Sequence, residues 1–411
     1  MAVYELQSRV QKYSWGDPDL LPGFLGRHNA SREPWAELWY GAHPRAPSTV
    51  ITADGEKLGL REVIARDPQG ILGAGKGDNL PFLLKILAVA KPLSLQVHPS
   101  AGKAARGYSR ENLSVLPQDD EDRNYTDERH KPEFIVAMDR FEGMCGFRPL
   151  NEMLSIMRLV SGDEWEKYLG RLLEQPSKME MAMLFYSFIS MELADKARVL
   201  RAARRRIDRI VSSAPSSSSE FRALKWVPAL MDEFPNDMAA LAPIMLNTFD
   251  MSPGEGLYVA PGQPHAYFRG CALEVMANSD NEVRAGLTLK RIDLTEFLAL
   301  LNFDSAALSF CAPCAAAPGT ISPYDIATDE FSLAVLRGSR EGISCERDNG
   351  PEILLCVEGP VRVTAASGAS YELKRGKALF IDASEGSYAV TGEGMLFRAA
   401  ASAPGSEGKR A

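Results

Sequence analysis

Two short segments of the chain each place a histidine beside a proline at the end of an apolar stretch. His98 lies in LSLQVHPS and His265 lies in PGQPHAYFRG, and they are two of only five histidines in 411 residues. A third segment, HKPEF, contributes Glu133, the one carboxylate between Pro132 and Met138 in a stretch that otherwise predicts a buried strand. Imidazole nitrogen and carboxylate oxygen are typical ligands of zinc or a similar divalent cation.

The segment that contains His98 offers a further ligand. Ser94, Gln96 and His98 alternate with apolar residues, so in a strand these three polar side chains point to the same face. The absence of a thiolate favours a catalytic ion over a structural one. Glu133 would be the only charged ligand, so a divalent ion would keep net positive charge and could act as a Lewis acid. The alternative is two separate core histidines and a glutamate in a buried salt bridge.

Further motifs occur in the order in which one enzyme family has them. They are YSWG at 13–16, AELWYGAHPRAPS at 36–48, PFLLKIL at 81–87, FEGMCGFRP at 141–149 and ALEVMANSDNEVRAGLTLK at 272–290. Together with QVHP, HKPE and PGQPHAY, these motifs closely resemble type I phosphomannose isomerases. The resemblance is strong over residues 1–300 and weaker from there to the C-terminus.

The resemblance implies a reaction and a metal. The reaction is the interconversion of mannose 6-phosphate and fructose 6-phosphate, an aldose–ketose isomerisation through an enediolate. This reaction would feed mannose catabolism or GDP-mannose synthesis. The implied cofactor is one zinc ion per chain, with Gln96, His98, Glu133 and His265 as its ligands. These are the same side chains that the spacing of polar residues indicates.

The resemblance also points to catalytic residues. Arg284 in NEVRAGLT matches the arginine that the family treats as catalytic, and we expect an electrostatic role because a guanidinium stays protonated. Lys131 and Glu274 both lie in matching segments and could each act as the proton-transferring base if their pKa values were moved towards neutrality. The choice between them stays open, since Lys131 could equally be a structural partner of Glu133.

Phosphate recognition is assigned to Lys85 and Ser94. Lys85 interrupts the apolar run PFLLKIL, where an unpaired ammonium would be costly. It therefore needs an anionic partner, either the substrate phosphate or a protein carboxylate. Ser94 shares the face of Gln96 and His98 and adds a hydroxyl donor there.

Hydrophobic periodicity predicts a mainly β chain with a helical insertion. Residues 1–150 and 240–320 contain short apolar runs separated by Gly and Pro turns, and we expect them to form a cupin-type jelly-roll barrel that carries the metal site. Residues 151–239 have apolar positions at spacings of three and four, which predicts a helical domain. Residues 321–411 resemble a second, degenerate cupin barrel, and they contain no histidine.

Composition excludes several classes of protein. The net charge of −8 argues against a nucleic-acid surface, and no apolar run approaches the ~18 residues of a membrane helix. The six cysteines show no disulfide pattern, and no apolar signal region follows the first residue. We therefore expect a cytoplasmic monomer whose partner is a small phosphosugar.

Two other functional classes compete with the isomerase hypothesis. A metal-dependent cupin oxygenase would normally favour iron and leave coordination positions open for dioxygen, and an amide ligand such as Gln96 argues against it. A non-enzymatic sugar-binding double barrel would have no metal site or an inert one, so metal content would distinguish it.

Overall fold

The computed structural model describes residues 2–52, 55–74, 77–113, 117, 123–313, 317–347 and 350–401. These residues form a mainly β structure with one helical region, so the predicted fold class is confirmed. None of the helices in these ranges combines the length and the apolar character that crossing a membrane requires. The described cysteines are free thiols, namely Cys145, Cys271, Cys311, Cys345 and Cys356, and Cys314 lies outside the described residues.

The N-terminal part consists of short strands and helices. Its elements are β1 (Val3–Gln7), β2 (Arg9–Gln11), α1 (Leu20–Leu25), β3 (Glu37–Tyr40), β4 (Thr49–Ile51), β5 (Lys57–Gly59), α2 (Leu60–Arg66), α3 (Pro68–Leu72), β6 (Phe82–Val89), β7 (Leu95–Val97), α4 (Ala101–Asn112), β8 (Glu133–Ala137) and β9 (Phe141–Phe147).

The helical region follows β9. It comprises α5 (Leu150–Val160), α6 (Glu166–Glu174), α7 (Lys178–Ile189), α8 (Leu193–Ser213), α9 (Ser219–Leu224), α10 (Val227–Glu233) and α11 (Ala242–Met245), with 3-10 turns at Asp163–Trp165 and Met238–Leu241.

Strands return after the helical region. The next elements are β10 (Leu246–Met251), β11 (Gly256–Val259), β12 (His265–Ala277), β13 (Val283–Gly286) and α12 (Leu294–Leu300). The C-terminal strands are β14 (Thr320–Pro323), β15 (Phe331–Arg337), β16 (Ile343–Glu346), β17 (Glu352–Glu358), β18 (Val361–Ala365), β19 (Ser370–Leu373), β20 (Ala378–Ile381), β21 (Ser387–Thr391) and β22 (Met395–Ala401).

The strands that carry the candidate site belong to a 10-stranded sheet with β12 at its centre. The first half of β12 pairs with β7 and β9, and the second half pairs with β6 and β8. The register shifts between Tyr267 and Arg269, and Gly270 has a φ of 117°. A Cβ at Gly270 would lie 2.1 Å from the carbonyl oxygen of Arg140, so the close approach and the positive φ both require glycine there.

Side chains of this sheet alternate between two buried layers. Leu84, Phe134 and Val275 point outward and pack against C-terminal strands in one apolar cluster. Lys85 and Glu274 are register partners on β6 and β12, and they point to the opposite face because neighbouring residues alternate. Glu133 on β8 lies on that same inner face. The fold thus places charged side chains at positions where a purely structural sheet would have apolar ones.

The helical region packs against the apolar face of β7 and β13. Leu95 and Val97 of β7 share an apolar cluster with helical residues such as Phe185 and with Val283 of β13. Because these apolar positions face the helices, the alternate position Gln96 faces away from them.

An 8-stranded sheet forms the middle layer of the molecule, in the order β14-β15-β22-β17-β20-β1-β4-β5. One apolar cluster joins it to the 10-stranded sheet, and another joins it to the 4-stranded sheet β16-β21-β18-β19. The N-terminal β1 pairs here with the C-terminal β20. Across the described ranges no sheet closes on itself, so the predicted barrels are sheets packed face to face, each burying one side against its neighbour.

Candidate metal centre

Three buried side chains from separate strands and loops converge on one point. His98, Glu133 and His265 are 1%, 2% and 0% exposed. His98 Nε2 lies 3.2 Å from Glu133 Oε1, and His265 Nε2 lies 3.5 Å from Glu133 Oε2. One donor atom from each residue lies within 4.8 Å of the others. This arrangement can hold a metal ion.

Backbone carbonyl groups orient both imidazoles. His98 Nδ1 lies 2.8 Å from the carbonyl oxygen of Asn281, and His265 Nδ1 lies 3.0 Å from that of Gln263. A carbonyl only accepts hydrogen bonds, so each Nδ1 donates its proton and each Nε2 presents a lone pair towards Glu133. Burial lowers the pKa of His265 to about 4, which keeps this imidazole neutral and able to bind a metal.

Gln96 supplies a fourth oxygen or nitrogen to the cluster. It is the register partner of His265 across β7 and β12. The Glu282 carboxylate accepts hydrogen bonds but cannot donate them, so the Gln96 amide nitrogen faces it, 2.6 and 3.1 Å from its two oxygens. The Gln96 amide oxygen then lies 3.2 Å from His265 Nε2. The two histidines, Glu133 and this amide oxygen form one ligand group.

The partners of the two Glu133 oxygens indicate whether this ligand group fits a cation. Its Oε1 lies 3.0 Å from Lys131 Nζ, whereas its buried Oε2 has no hydrogen-bond donor among the described residues. Burial alone would raise the pKa of Glu133, but Lys131 and His98 hold it well below its usual range. A buried, ionised oxygen without a donor is costly. A divalent cation would satisfy it, and the mixed nitrogen and oxygen donors suit zinc.

A second group of charged side chains lies on the same inner face. Lys85 Nζ lies 3.3 Å from Glu274 Oε2 and 5.2 Å from the centre of the Trp39 ring. Burial alone would lower the pKa of Lys85, but carboxylates including Glu37 and Glu274 raise it, so Lys85 stays protonated. Burial and the charge of Glu133 raise the pKa of Glu274 to about 7.

The two residues assigned to phosphate recognition have different neighbours. Lys85 pairs with Glu274, so its neighbour in the structure is a protein carboxylate, which is the alternative to the substrate phosphate. Ser94 Oγ lies 3.4 Å from the side-chain amide of Gln96. Within the part of the chain that the structure describes, no hydrogen bond or ion pair joins Lys85 to Ser94.

Arg284 lies at the rim of the cluster. It is the register partner of Gln96 across β13 and β7, and its side chain is 16% exposed. Its Nη2 lies 2.6 Å from Glu282 Oε1. Glu282 is not among the residues predicted from the sequence. Its position two residues before Arg284 was a usable signal, because residues two apart in an extended chain point to the same side.

A buried histidine that pairs with an aspartate was also absent from the residues predicted from the sequence. His43 Nε2 lies 3.2 Å from Asp280 Oδ2, and Arg45 Nη2 lies 2.9 Å from Asp280 Oδ1. The rings of His43 and Trp39 meet edge to face with centres 4.7 Å apart. His43 precedes a proline in GAHPR, as His98 does in QVHP.

Known proteins resemble the chain over nearly its whole length. The catalytic domain of type I phosphomannose isomerase matches residues 3–150, and the cupin domain of mannose-6-phosphate isomerase matches residues 321–401. Mannose-6-phosphate isomerase of Escherichia coli strain K12 is 34% identical over 399 residues, which cover 96% of this chain and 99% of that protein. The chain belongs to the type I mannose-6-phosphate isomerase family. The family resemblance drawn from the sequence motifs is thereby confirmed.

Other members of the mannose-6-phosphate isomerase family agree in sequence and in structure. The human protein is 30% identical over 408 residues, covering 93% of this chain and 94% of its own length. A crystal structure of zinc-bound mannose 6-phosphate isomerase is 32% identical and covers 98% of this chain, with a TM-score of 0.88. The structure of a phosphomannose isomerase variant from Salmonella typhimurium has a TM-score of 0.89 at the same coverage and identity.

Proposed function

We propose that this chain is a zinc-dependent isomerase that interconverts D-mannose 6-phosphate and D-fructose 6-phosphate. The observation that carries the proposal is the Glu133 carboxylate. Its Oε2 is buried without a hydrogen-bond donor in the described residues and lies 3.5 Å from His265 Nε2, while its Oε1 lies 3.2 Å from His98 Nε2. Membership of the mannose-6-phosphate isomerase family supports the choice of substrates. A non-enzymatic sugar-binding protein would have no metal site or an inert one, so zinc-dependent turnover distinguishes the two functions.

The proposed zinc ligands are Gln96, His98, Glu133 and His265. When bound there, zinc supplies a Lewis acid that stabilises negative charge on nearby oxygen atoms. The reaction moves a proton between neighbouring carbons, and negative charge develops on the substrate oxygens in an enediolate. The inner-face side chains Lys85, Glu133 and Glu274 are buried, and a low local dielectric strengthens electrostatic interactions with that charge.

Arg284 is proposed to hold an enediolate or sugar oxygen. A guanidinium presents several N–H donors in a fixed plane and stays protonated at the pH of the reaction. Glu282 Oε1 contacts Nη2 of Arg284, and a guanidinium carries five N–H donors, so it can also donate to the substrate. Partial exposure at the rim of the cluster allows a substrate to reach it.

Glu274 is our first candidate for the base, and Lys131 is the second. A general base works best when its pKa lies near the operating pH, and the pKa of Glu274 is raised to about 7. Lys131 lies 3.0 Å from Glu133 Oε1 and 3.4 Å from His98 Nε2, which favours a role in holding these ligands.

Lys85 and Ser94 are the proposed contacts of the substrate phosphate. Lys85 keeps a positive charge on the inner face, and Ser94 lies partly exposed beside Gln96. We further propose a cytoplasmic monomer that serves mannose catabolism or GDP-mannose synthesis. Its proposed domains are 1–150 with 240–320, 151–239 and 321–411.

A coupled assay that converts mannose 6-phosphate to fructose 6-phosphate tests the proposal. The purified protein is assayed as isolated, after treatment with a chelator, and after zinc is returned. We expect activity that is lost on chelation and restored by zinc. A folded, zinc-loaded sample that does not convert mannose 6-phosphate would contradict the proposal.

A pair of histidine variants provides the matched control. His98→Ala should abolish both stoichiometric zinc binding and activity. His28→Ala changes an exposed histidine and should leave both unchanged. Equal zinc content in the two variants, measured by atomic absorption, would remove His98 from the ligand set.

A further inference from the structure

Glu282 lies between a proposed metal ligand and the proposed catalytic arginine. Its carboxylate oxygens lie 2.6 and 3.1 Å from the Gln96 amide nitrogen, and its Oε1 lies 2.6 Å from Arg284 Nη2. The Glu282 side chain is 20% exposed. One carboxylate therefore contacts both a residue that would touch the metal and a residue that would touch the substrate.

The contact with Gln96 has a chemical consequence. A glutamine amide can present either its oxygen or its NH2 group to a given point, but only the oxygen can bind a cation. The Glu282 carboxylate accepts hydrogen bonds only, so it selects the orientation in which the amide oxygen faces His265 Nε2 at 3.2 Å. A neutral residue at position 282 would not impose this choice.

Glu282 also contacts Arg284, which lies on β13 two residues further along the chain. Gln96 and Arg284 are register partners across β7 and β13, and Glu282 bridges their side chains. The same carboxylate thus holds the amide of Gln96 and the guanidinium of Arg284, and two contacts on one carboxylate restrict the orientation of both side chains.

We propose that Glu282 is a positioning residue that sets two parts of the site at once. It turns the Gln96 oxygen towards the metal, and it fixes the guanidinium of Arg284 at the rim where substrate binds. This inference rests on the proposed function and adds to it a residue outside the ligand set. Residues that orient metal ligands typically change metal affinity by about 10- to 100-fold when they are replaced.

Zinc affinity tests the first role without reference to activity. Competition with a fluorescent chelator would give the zinc dissociation constant of the wild-type protein, of Glu282→Gln and of Glu282→Val. We expect binding about 10- to 100-fold weaker in both variants. Glu233→Gln is the matched control, because Glu233 is an exposed carboxylate paired with Lys91, and it should bind zinc like the wild type.

A double-mutant cycle shows whether Glu282 acts through Gln96. Gln96→Ala removes the ligand oxygen, so adding Glu282→Val to it should weaken zinc binding little further, since residues acting in one chain of contacts are not additive. Full additivity would overturn the positioning role at the metal. Zinc affinities of both Glu282 variants within about twofold of the wild type would overturn it as well.

Kinetics at saturating zinc test the second role. Under these conditions the zinc site is full in every variant, and we expect kcat of Glu282→Gln to fall by about 10- to 100-fold because Arg284 is no longer held in place. An unchanged kcat would overturn this role. If the wild-type protein binds zinc and isomerises its substrate, and both Glu282 variants match it, only this inference is refuted. If the wild-type protein does not bind zinc, the proposed function is refuted.

Discussion

Two glutamates of this chain are equally buried and yet differ in how their oxygens are satisfied. Glu133 in the metal centre and Glu352 in the 8-stranded sheet are each 2% exposed. Glu352 Oε1 accepts a hydrogen bond from Arg398, and its Oε2 accepts one from the Tyr388 hydroxyl at 3.1 Å. Glu133 Oε1 has close partners, but Oε2 has no donor in the described residues.

Both oxygens of the Glu352 carboxylate accept hydrogen bonds from protein side chains, although the neighbouring Arg347 Nε and Arg398 Nε have no hydrogen-bond partner among the described residues. Arg347 Nε lies 3.3 Å from Glu352 Oε1, and Arg347 also donates to backbone carbonyls, including that of Asp382 at 2.7 Å. This cluster joins strands and loops of the C-terminal part. Burial and charge alone therefore do not separate a structural cluster from a functional one. The kind of unpartnered atom does separate them. Glu133 Oε2 and the two Nε2 lone pairs in the metal centre are acceptors, which a bound cation satisfies together, whereas the unpartnered atoms beside Glu352 are N–H donors.

The largest expected effects come from removing each carboxylate charge. Glu133→Gln should lower activity by roughly 10³-fold or more, because it removes the only charged metal ligand and with it the Lewis acid. Glu352→Gln should instead lower the free energy of unfolding by about 3–5 kcal/mol, because it leaves buried arginines without a charged partner. Activity per folded molecule should survive in Glu352→Gln.

Zinc content and urea unfolding of both variants check this contrast. We expect Glu133→Gln to be folded and free of stoichiometric zinc, and Glu352→Gln to be less stable and loaded with zinc. A Glu352→Gln protein that is folded but has lost its zinc would show that the two clusters are not independent.

Removing Arg284 should separate chemistry from metal binding within the site. Arg284→Ala is expected to reduce kcat by about 10²- to 10³-fold, which is the usual cost of losing one donor to a developing oxyanion. Its zinc content should remain near that of the wild type, because Arg284 is not a proposed ligand. Zinc loss in proportion to the loss of turnover would assign Arg284 a structural role.

The pKa of Glu274 predicts a pH dependence of stability for the zinc-free protein. It rises from an ordinary value of 4.5 to about 7 in the folded chain, so between these values the folded state binds more protons than the unfolded state. The free energy of unfolding should therefore fall as pH rises through this window, by at most about 1.4 kcal/mol per pH unit.

Replacing Glu274 by glutamine tests this pH dependence. Urea unfolding of the zinc-free wild type and of Glu274→Gln, measured from pH 5 to pH 7, should show a smaller downward slope in the variant. If Glu274 is also the base, kcat/KM of the zinc-loaded variant should be low and should lack the inflection that Glu274 contributes. Identical slopes in the two proteins would refute the raised pKa.

The smallest effect is expected at an exposed ion pair. Arg340 and Glu393 lie 2.7 Å apart, but their side chains are 87% and 70% exposed. Arg340→Gln should change the free energy of unfolding by no more than about 0.5 kcal/mol, because water already solvates both charges. Thermal unfolding checks this, and a large loss of stability would mean that burial is not what makes the Glu352 cluster important.

The sequence by itself determined the kinds of ligand and the strand faces that present them. Alternation at 93–98 placed Gln96 and His98 on one face, and the carboxylate within an apolar strand indicated Glu133, because side-chain direction along a strand is a local property. The helical region could also be predicted from the sequence, since the spacing of apolar residues along a helix is a local property. The order of the motifs identified the family.

Only the tertiary structure decided which side chains meet. Lys85 lies beside Glu274 because of the register of β6 and β12. The N-terminal strand β1 pairs with β20, which is almost the whole chain length away in sequence. Glu282 reaches Gln96 because β13 lies beside β7. Register between distant strands is set by which faces must be buried together and not by local periodicity, so the donor-free oxygen of Glu133 appears only in the folded chain.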